Sequence, residues 1–156
     1  MAAIGQKTVQ IHRATSADLQ VLLELVSEYW AFEGIGGYDA SRVEPPLRRL
    51  LGDARLGAAW LSGSDGSPTG YLLAVYVFSL EHSGLTAEID EFFVRPGCRG
   101  SGTGATLLEA AETEFKRVGC TNVSLQVGRG NEGARRFYVR RGYAPRSGFE
   151  LLEKPL

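Results

Sequence analysis

A glycine-rich segment from Val94 to Gly104 carries the strongest chemical signal in this sequence. It joins an apolar, strand-like run to an amphipathic, helix-like run. Glycine lacks a Cβ and tolerates positive φ, so the backbone of such a turn can approach a ligand closely. At a helix N-terminus, free N–H groups and the helix dipole favour an anion, most often a phosphate. Arg99 can add a charge-assisted contact. We therefore predict a phosphate-binding turn here.

The spacing of the glycines narrows the choice of phosphate ligand. Dinucleotide-binding folds use Gly-x-Gly-x-x-Gly, and NTPase loops end in Gly-Lys-Ser/Thr. Here the glycines occupy every second position, at Gly100, Gly102 and Gly104. Neither nucleotide-binding pattern is present. The alternative to a phosphate-binding turn is a turn that needs glycine only for its conformation.

Periodicity predicts the elements that must position this turn. The order is β-α-α-β-β-β-α-β-α-β, a mixed α/β fold with a mostly antiparallel sheet flanked by helices. We predict one domain over residues 8–156 and a flexible N-terminal segment over residues 1–7. The predicted strands cover residues 8–13, 57–62, 71–80, 87–94, 122–127 and 149–153, and the predicted helices cover residues 15–32, 40–51, 107–118 and 132–141.

Composition excludes several classes of function. The net charge is −1 over 156 residues, so no broad affinity for nucleic acid or anionic membrane is expected. No apolar run approaches the ~18 residues that span a bilayer. Cys98 and Cys120 form neither a disulfide framework nor a metal motif, which indicates a cytoplasmic protein with reduced thiols and no metal. A homodimer is compatible with these features.

Two motifs resemble the signatures of one enzyme family. The first is V-x-P-x-x-R-G-x-G-x-G at residues 94–104, and the second is N-x-x-A-x-x-F-Y-x-x-x-G-Y at residues 131–143. Together, in this order and on these elements, they resemble the acyl-CoA signatures of the GNAT family of N-acetyltransferases over nearly the whole chain. The segment 89–94 with 137–142 is also similar to diamine and polyamine acetyltransferases.

The resemblance implies acetyl-CoA as co-substrate and transfer of the acetyl group to a primary amine. It implies direct attack in a ternary complex, since no cysteine lies in the second motif. The backbone near Val94 would pair with the pantetheine arm and the glycine turn would hold the pyrophosphate. The implied cofactor contacts are Phe92, Phe93, Val94, Arg99, Gly100, Ser101, Gly102, Thr103, Gly104, Asn131 and Phe137.

Amine acetylation needs a base for the ammonium and an acid for the departing thiolate. By the resemblance, the strand face shared with Val94 looks into the acceptor cleft, which favours Asp90 and Glu88 as the base. A bulge would exchange the faces and make Glu91 the candidate. Carboxylates that face solvent or pair with arginines are the alternative. Tyr138 is the candidate acid, with core packing beside Phe137 as its alternative.

The acceptor side is less specific in sequence. The resemblance places acceptor contacts at the end of the first helix and at the end of the central strand. These contacts are Tyr29, Trp30, Glu33, Ser79 and Glu81. Helix-spaced aromatics that pack in the core are the alternative. We expect a small, polyamine-like amine as the acceptor, while a protein N-terminus or lysine remains open. The rival function is a non-catalytic acyl-CoA-binding module, which would need neither Tyr138 nor the carboxylates.

Overall fold

A computed structural model describes residues 9–64 and 66–156. The chain forms two compact units, one ending at Leu125 and one over Gln126–Leu156. The predicted N-terminal segment 1–7 and Thr8, the start of the first predicted strand, lie outside the described residues. One domain over residues 8–156 stays a prediction.

The first unit is built on a five-stranded sheet with the spatial order β1-β2-β3-β4-β5. All neighbours are antiparallel except the parallel pair β4–β5. The predicted mixed α/β class, with its antiparallel meander, is confirmed. The strands are β1 Ile11–Arg13, β2 Gly57–Ser64, β3 Ser67–Ser79, β4 Gly84–Val94 and β5 Val123–Leu125, and the helices are α1 Leu19–Glu33, α2 Ala40–Gly52 and α3 Thr103–Arg117, with α4 Glu132–Val139 in the second unit.

The start of α1 follows from local sequence. Thr15 Oγ1 accepts a hydrogen bond from the Ala17 N–H at 3.3 Å, and Asp18 Oδ2 accepts one from the Thr15 N–H at 2.8 Å. This reciprocal capping box satisfies N–H groups that a helix end leaves free. The helix ends where Gly34 takes a left-handed conformation, φ 69°. The capping box begins a 3-10 turn over Ser16–Asp18 that leads into α1, so α1 itself starts four residues after the predicted boundary and ends one residue after it.

Both faces of the sheet are covered, because side chains alternate between them along each strand. On one face, Tyr71 and Phe93 pack with Leu22 of α1 in the main core. On the other face, Phe115 of α3 meets the ring of Trp60 edge-on, with the centroids 5.7 Å apart. The central strand β3 is thus apolar on both sides, as predicted for a buried strand.

A β-bulge interrupts the pairing of β3 with β4. Leu73 lies opposite Glu91 and Ala74 lies opposite Ile89, so Asp90 is an extra residue. Paired residues point to the same face of a sheet, and Leu73 belongs to the core under α1. Glu91 therefore faces α1, and simple alternation along β4 is wrong here. The bulge that the sequence left as an alternative is the arrangement observed.

The prediction of a last strand over residues 149–153 is wrong. Phe149, Leu151 and Leu152 are exposed and the segment has no regular structure. Two consecutive leucines break the alternation of a half-buried strand, and a strand needs a neighbour to bond its backbone. Among the described residues no helix is both long enough and apolar enough to cross a bilayer.

Candidate active site

The glycine-rich turn forms an anion cradle at the start of α3. Gly100 and Gly102 adopt positive φ, 77° and 86°, and Gly102 caps the helix without a side-chain bond. In the part of the chain that the structure describes, the N–H groups of residues 100 to 105 meet no hydrogen-bond acceptor. Ser101 stabilises the turn by donating from Oγ to the Cys98 carbonyl at 2.8 Å. This is the arrangement that binds phosphate groups.

Arg99 lies beside this turn in a position that the sequence did not predict. Its guanidinium stacks over the ring of Phe32, 4.4 Å from the centroid, and its Nε donates to the Val94 carbonyl at 2.7 Å. The side chain therefore links the end of β4 to the end of α1. A contact from Arg99 to phosphate stays a prediction.

The strand before the turn has an open edge. Parallel pairing joins β5 only to Ala87–Ile89, and among the described residues no strand lies beside the rest of β4 on that side. The Arg95 N–H donates to the Thr69 carbonyl on the β3 side at 2.8 Å. Because backbone groups alternate along an antiparallel ladder, Phe92 and Val94 direct theirs away from β3, on the side where the Val94 carbonyl accepts from Arg99 Nε. An extended ligand can pair there as an added strand.

Arg95 fixes the end of β4 and was missed by the sequence analysis. It forms two bonds to Glu28 at 2.6 and 2.8 Å, one to Glu24 at 3.0 Å and one to the Pro68 carbonyl at 2.7 Å. The hydrogen bond from Arg95 lowers the pKa of Glu28. The partners of Arg95 are far away in sequence. The only sequence signal for this anchor is a charged residue directly after a strand.

Glu91 connects β4 to α1 and β3. Its Oε1 accepts from the Trp30 indole N–H at 2.7 Å, and its Oε2 accepts from the Tyr71 hydroxyl at 2.7 Å. Desolvation raises the pKa of Glu91, while these two hydrogen bonds oppose that shift. Burial and then the charge of Glu91 raise the pKa of Tyr71. Both oxygens of this carboxylate are occupied by neutral donors.

Three carboxylates act together on the side chain of Tyr29. Burial, followed by the charges of Glu33, Glu91 and Asp90, raises the pKa of Tyr29 to about 12. Asp90, at the bulge, has an exposed side chain, although partial desolvation raises its pKa. Glu88 is partly buried and pairs with Val75 further along β4. The structure thus links the first-helix residues Tyr29, Trp30 and Glu33 with Asp90 and Glu91, two of the three acids that the sequence singled out.

The two other predicted acceptor residues lie elsewhere. Ser79 ends β3, where its Oγ accepts a hydrogen bond from the His82 N–H at 3.3 Å. Six residues of extended strand separate it from Leu73 at the bulge, about 20 Å. Glu81 is exposed in the turn that follows. Ser79 and Glu81 therefore do not join the cluster around Tyr29.

The second unit carries the second motif on α4. Asn131 caps this helix, accepting from the Ala134 N–H at 3.1 Å, while a contact from Asn131 to the cofactor stays a prediction. Tyr138 is partly buried between the rings of Phe137, 5.2 Å away, and Tyr143, 5.5 Å away. The guanidinium of Arg141 stacks on Phe137 at 3.8 Å. Across residues 9–64 and 66–156, no three His, Cys, Asp or Glu side chains converge as a metal site requires.

Comparisons with known proteins bear on the family and the fold of this chain. A family model described as the acetyltransferase (GNAT) family matches residues 21–143. The aminoalkylphosphonate N-acetyltransferase of Salmonella typhimurium is 28% identical over 141 residues, covering 86% of this chain and 84% of that protein. An integron cassette protein from the mobile metagenome of Cole Harbour Salt Marsh has a TM-score of 0.82 and 30% identity, covering 94% of this chain and 90% of that one.

A predicted acetyltransferase from Clostridium acetobutylicum, solved with acetyl-CoA, shares the fold with a TM-score of 0.81 at 16% identity, covering 94% of this chain and 96% of that one. The family match, these relatives, the open edge of β4 and the turn at Gly102 lead to one conclusion. This chain belongs to the GNAT family and is an acetyl-CoA-dependent N-acetyltransferase.

Proposed function

We propose that this enzyme acetylates a small cationic primary amine by direct attack in a ternary complex with acetyl-CoA. The observation that carries the proposal is the Glu91 carboxylate bound to Tyr71, whose ring meets that of Tyr29 edge-on at 6.4 Å, with the charges of Glu33 and Asp90 also raising the pKa of Tyr29. Carboxylates beside an aromatic ring attract an ammonium group by charge and by the ring quadrupole. A non-catalytic acyl-CoA-binding module would have no use for these groups.

Asp90 is the proposed base. A lysine-like amine has a pKa of ~10.4, so its neutral form at pH 7 costs about 4.6 kcal/mol. A carboxylate that takes the proton, directly or through one water, reduces this cost. Asp90 is exposed at the bulge and its pKa is raised, which strengthens it as a base. Glu91 is a poorer candidate because Trp30 and Tyr71 already bind its oxygens.

Tyr138 is the proposed acid for the departing thiolate of CoA. A thiol has a pKa of ~8.5 and a tyrosine ~10, so this proton transfer is uphill by about 2 kcal/mol. Such a step is compatible with rapid turnover. The assignment rests on the position of Tyr138 in the second motif, which is the position from which the family resemblance draws an acid.

The acceptor distinguishes this chain from its Salmonella relative. An aminoalkylphosphonate carries a primary amine and an anionic phosphonate. The amine is compatible with the chemistry proposed here, whereas three carboxylates near one ring would repel the phosphonate. The two enzymes therefore share the reaction, and we expect them to differ in acceptor charge.

A panel of acceptors tests the proposal. Release of CoA is measured with diamines, neutral monoamines, aminoalkylphosphonates of matched length, and peptides with a free N-terminus or lysine. We expect diamines to have the lowest KM, and this KM to rise with ionic strength because salt screens the attraction. A preference for phosphonates would refute a cationic acceptor and leave acetyl transfer standing. A preference for peptides would move the acceptor class to proteins.

Replacing Asp90 by Asn tests the base. We expect kcat to fall by about 10²–10⁴-fold, the usual contribution of general base catalysis. Because Asp90 must be ionised, wild-type activity should fall as pH drops through its raised pKa, and that acidic limb should vanish in the variant. Glu88→Gln, on the same strand, is the matched control and should stay within threefold of wild type. The reverse ranking would make Glu88 the base.

Replacing Tyr138 by Phe tests the acid. The variant keeps the aromatic ring, so acetyl-CoA affinity should change little while kcat falls about 10²–10⁴-fold. The deficit should shrink with acyl donors whose thiol has a lower pKa, since they need less protonation to leave. A loss below about threefold would mean that water protonates the thiolate. Loss of acetyl-CoA binding would instead make Tyr138 a cofactor contact.

Paired glycine variants test the turn. Gly102 and Gly119 have nearly equal φ, 86° and 88°, and an added Cβ would meet nothing within 4 Å at either site. Valine should therefore strain both positions by a similar ~1–2 kcal/mol. Only Gly102→Val places a branched side chain at the cradle, so only this variant should lose acetyl-CoA affinity in calorimetry. Equal affinities in two folded variants would place the pyrophosphate elsewhere.

A further inference from the structure

We propose that Glu91 is a positioning residue that sets the affinity for the amine acceptor, which rests on the proposed function. It acts through the α1–α2 loop, residues 34–39. The carboxylate of Glu91, on β4, binds Trp30, and Trp30 contacts this loop. The base and the acid of the reaction are other residues. Glu91 itself touches neither the acetyl group nor the turn at the start of α3.

The charge on Glu91 has no counterpart nearby. Within the described residues, no arginine, lysine or histidine forms an ion pair with it. Its partners are two neutral donors, Trp30 and Tyr71, both at 2.7 Å. A carboxylate that is partly removed from water without a cation is unfavourable, and a neutral acceptor could satisfy both donors more cheaply. Packing alone does not explain a charged group at this position.

The bond to Trp30 reaches the α1–α2 loop directly. The indole meets the ring of Tyr38 edge-on, with centroids 5.7 Å apart, and the Tyr38 hydroxyl donates to the Leu23 carbonyl at 3.0 Å. The Trp30 carbonyl accepts from the Ile35 N–H at 2.8 Å at the other end of the loop. Glu91 thus holds the indole that packs on Tyr38 at the end of this loop, in the residue whose carbonyl also bonds the start of the loop.

Glu91 also determines where the bulge presents its extra residue. It follows Asp90 in sequence, and its pairing with Leu73 ends the irregular stretch. With the Glu91 carboxylate bound inward to Trp30 and Tyr71, Asp90 stays exposed at the bulge. The end of α1, where the family resemblance places acceptor contacts, and Asp90, the proposed base, therefore share one anchor. Loosening that anchor should weaken amine binding more than binding of acetyl-CoA.

Steady-state kinetics of Glu91→Gln test this role. The amide keeps the shape of the side chain but replaces one acceptor oxygen with a donor. The hydrogen bonds from Trp30 and Tyr71 therefore cannot both keep their strength. We expect the KM for a diamine to rise about tenfold or more, the scale of losing a hydrogen bond to a charged group. The KM for acetyl-CoA should stay within twofold. Glu114→Gln, another carboxylate bound by two side chains, is the matched control and should change neither KM.

Trp30→Phe provides an independent variant. It keeps an aromatic ring at the end of α1 and removes the N–H that Glu91 binds. We expect the same rise in the KM for the diamine. The double variant should have a diamine KM no higher than that of the more impaired single variant, because both changes remove the same contact between Glu91 and Trp30. Tyr71→Phe, which removes the other donor, should give a smaller rise because Tyr71 does not reach the loop.

Trp30 fluorescence gives a readout that does not need turnover. Trp60 is the only other tryptophan, so Trp60→Phe leaves Trp30 as the sole emitter. In this background, Glu91→Gln should increase quenching of Trp30 by iodide as the loop loosens. If wild type acetylates no amine, the proposed function fails, and this measurement still decides whether Glu91 holds the loop.

These experiments distinguish a positioning role of Glu91 from a general role in stability. An unchanged diamine KM and unchanged quenching in folded Glu91→Gln would overturn the proposal. An equal rise in the KM of both substrates, with a lower melting temperature, would reduce Glu91 to a general stability role and also overturn it. If Glu91→Gln does not fold, Trp30→Phe decides by the same criteria.

Discussion

The extra residue in β4 is the constraint on which the acceptor side depends. Leu73 and Ala74 are neighbours on β3, yet their partners Glu91 and Ile89 are two residues apart, so the ladder has to exclude Asp90. Because Asp90 is left out of the pairing, the alternation of side chains between the two faces of the sheet is reversed beyond this point of β4. It directs Glu91 toward α1, where it binds the indole of that helix, and leaves Asp90 exposed. Without the bulge, the two acids would exchange environments, and Glu91 would not bind the indole while Asp90 would not be the exposed carboxylate.

The acids of this site work against the stability of the fold. Desolvation raises the pKa of Asp90 and of Glu91, and the charge of Asp90 raises that of Glu91 further. Ionised neighbours of this kind repel each other, and the protein holds them in place with interactions elsewhere, such as the four bonds of Arg95. A cationic acceptor would relieve the repulsion when it binds. Strain of this type is common where a site is complementary to a ligand rather than to itself.

What the sequence predicts well is local in origin. The capping box at Thr15, the turn at Gly102 and the Asn131 cap depend on residues within a few positions, so their types and spacing identify them. The facing of Glu91 could not be predicted, because it depends on the register between two strands. The anchor at Arg95 depends on Glu28, 67 residues away. Residues 149–153 have apolar side chains suited to a strand, but a strand also needs a partner that periodicity cannot supply.

The same distinction explains how relatives at 28% identity can share acetyl transfer, and how the difference in acceptor proposed above could arise. The predicted acetyl-CoA side is made mainly of backbone: the N–H groups around Gly102 and the edge of β4 at Phe92 and Val94. Backbone groups are present whatever the side chains, provided that the turn and the strand form. The proposed acceptor side is made of side chains from separate elements, Trp30 and Glu91 among them, and a few substitutions can replace them without disturbing the fold. Function in such a scaffold therefore changes by replacing the side-chain half of the site, while the backbone half preserves the chemistry.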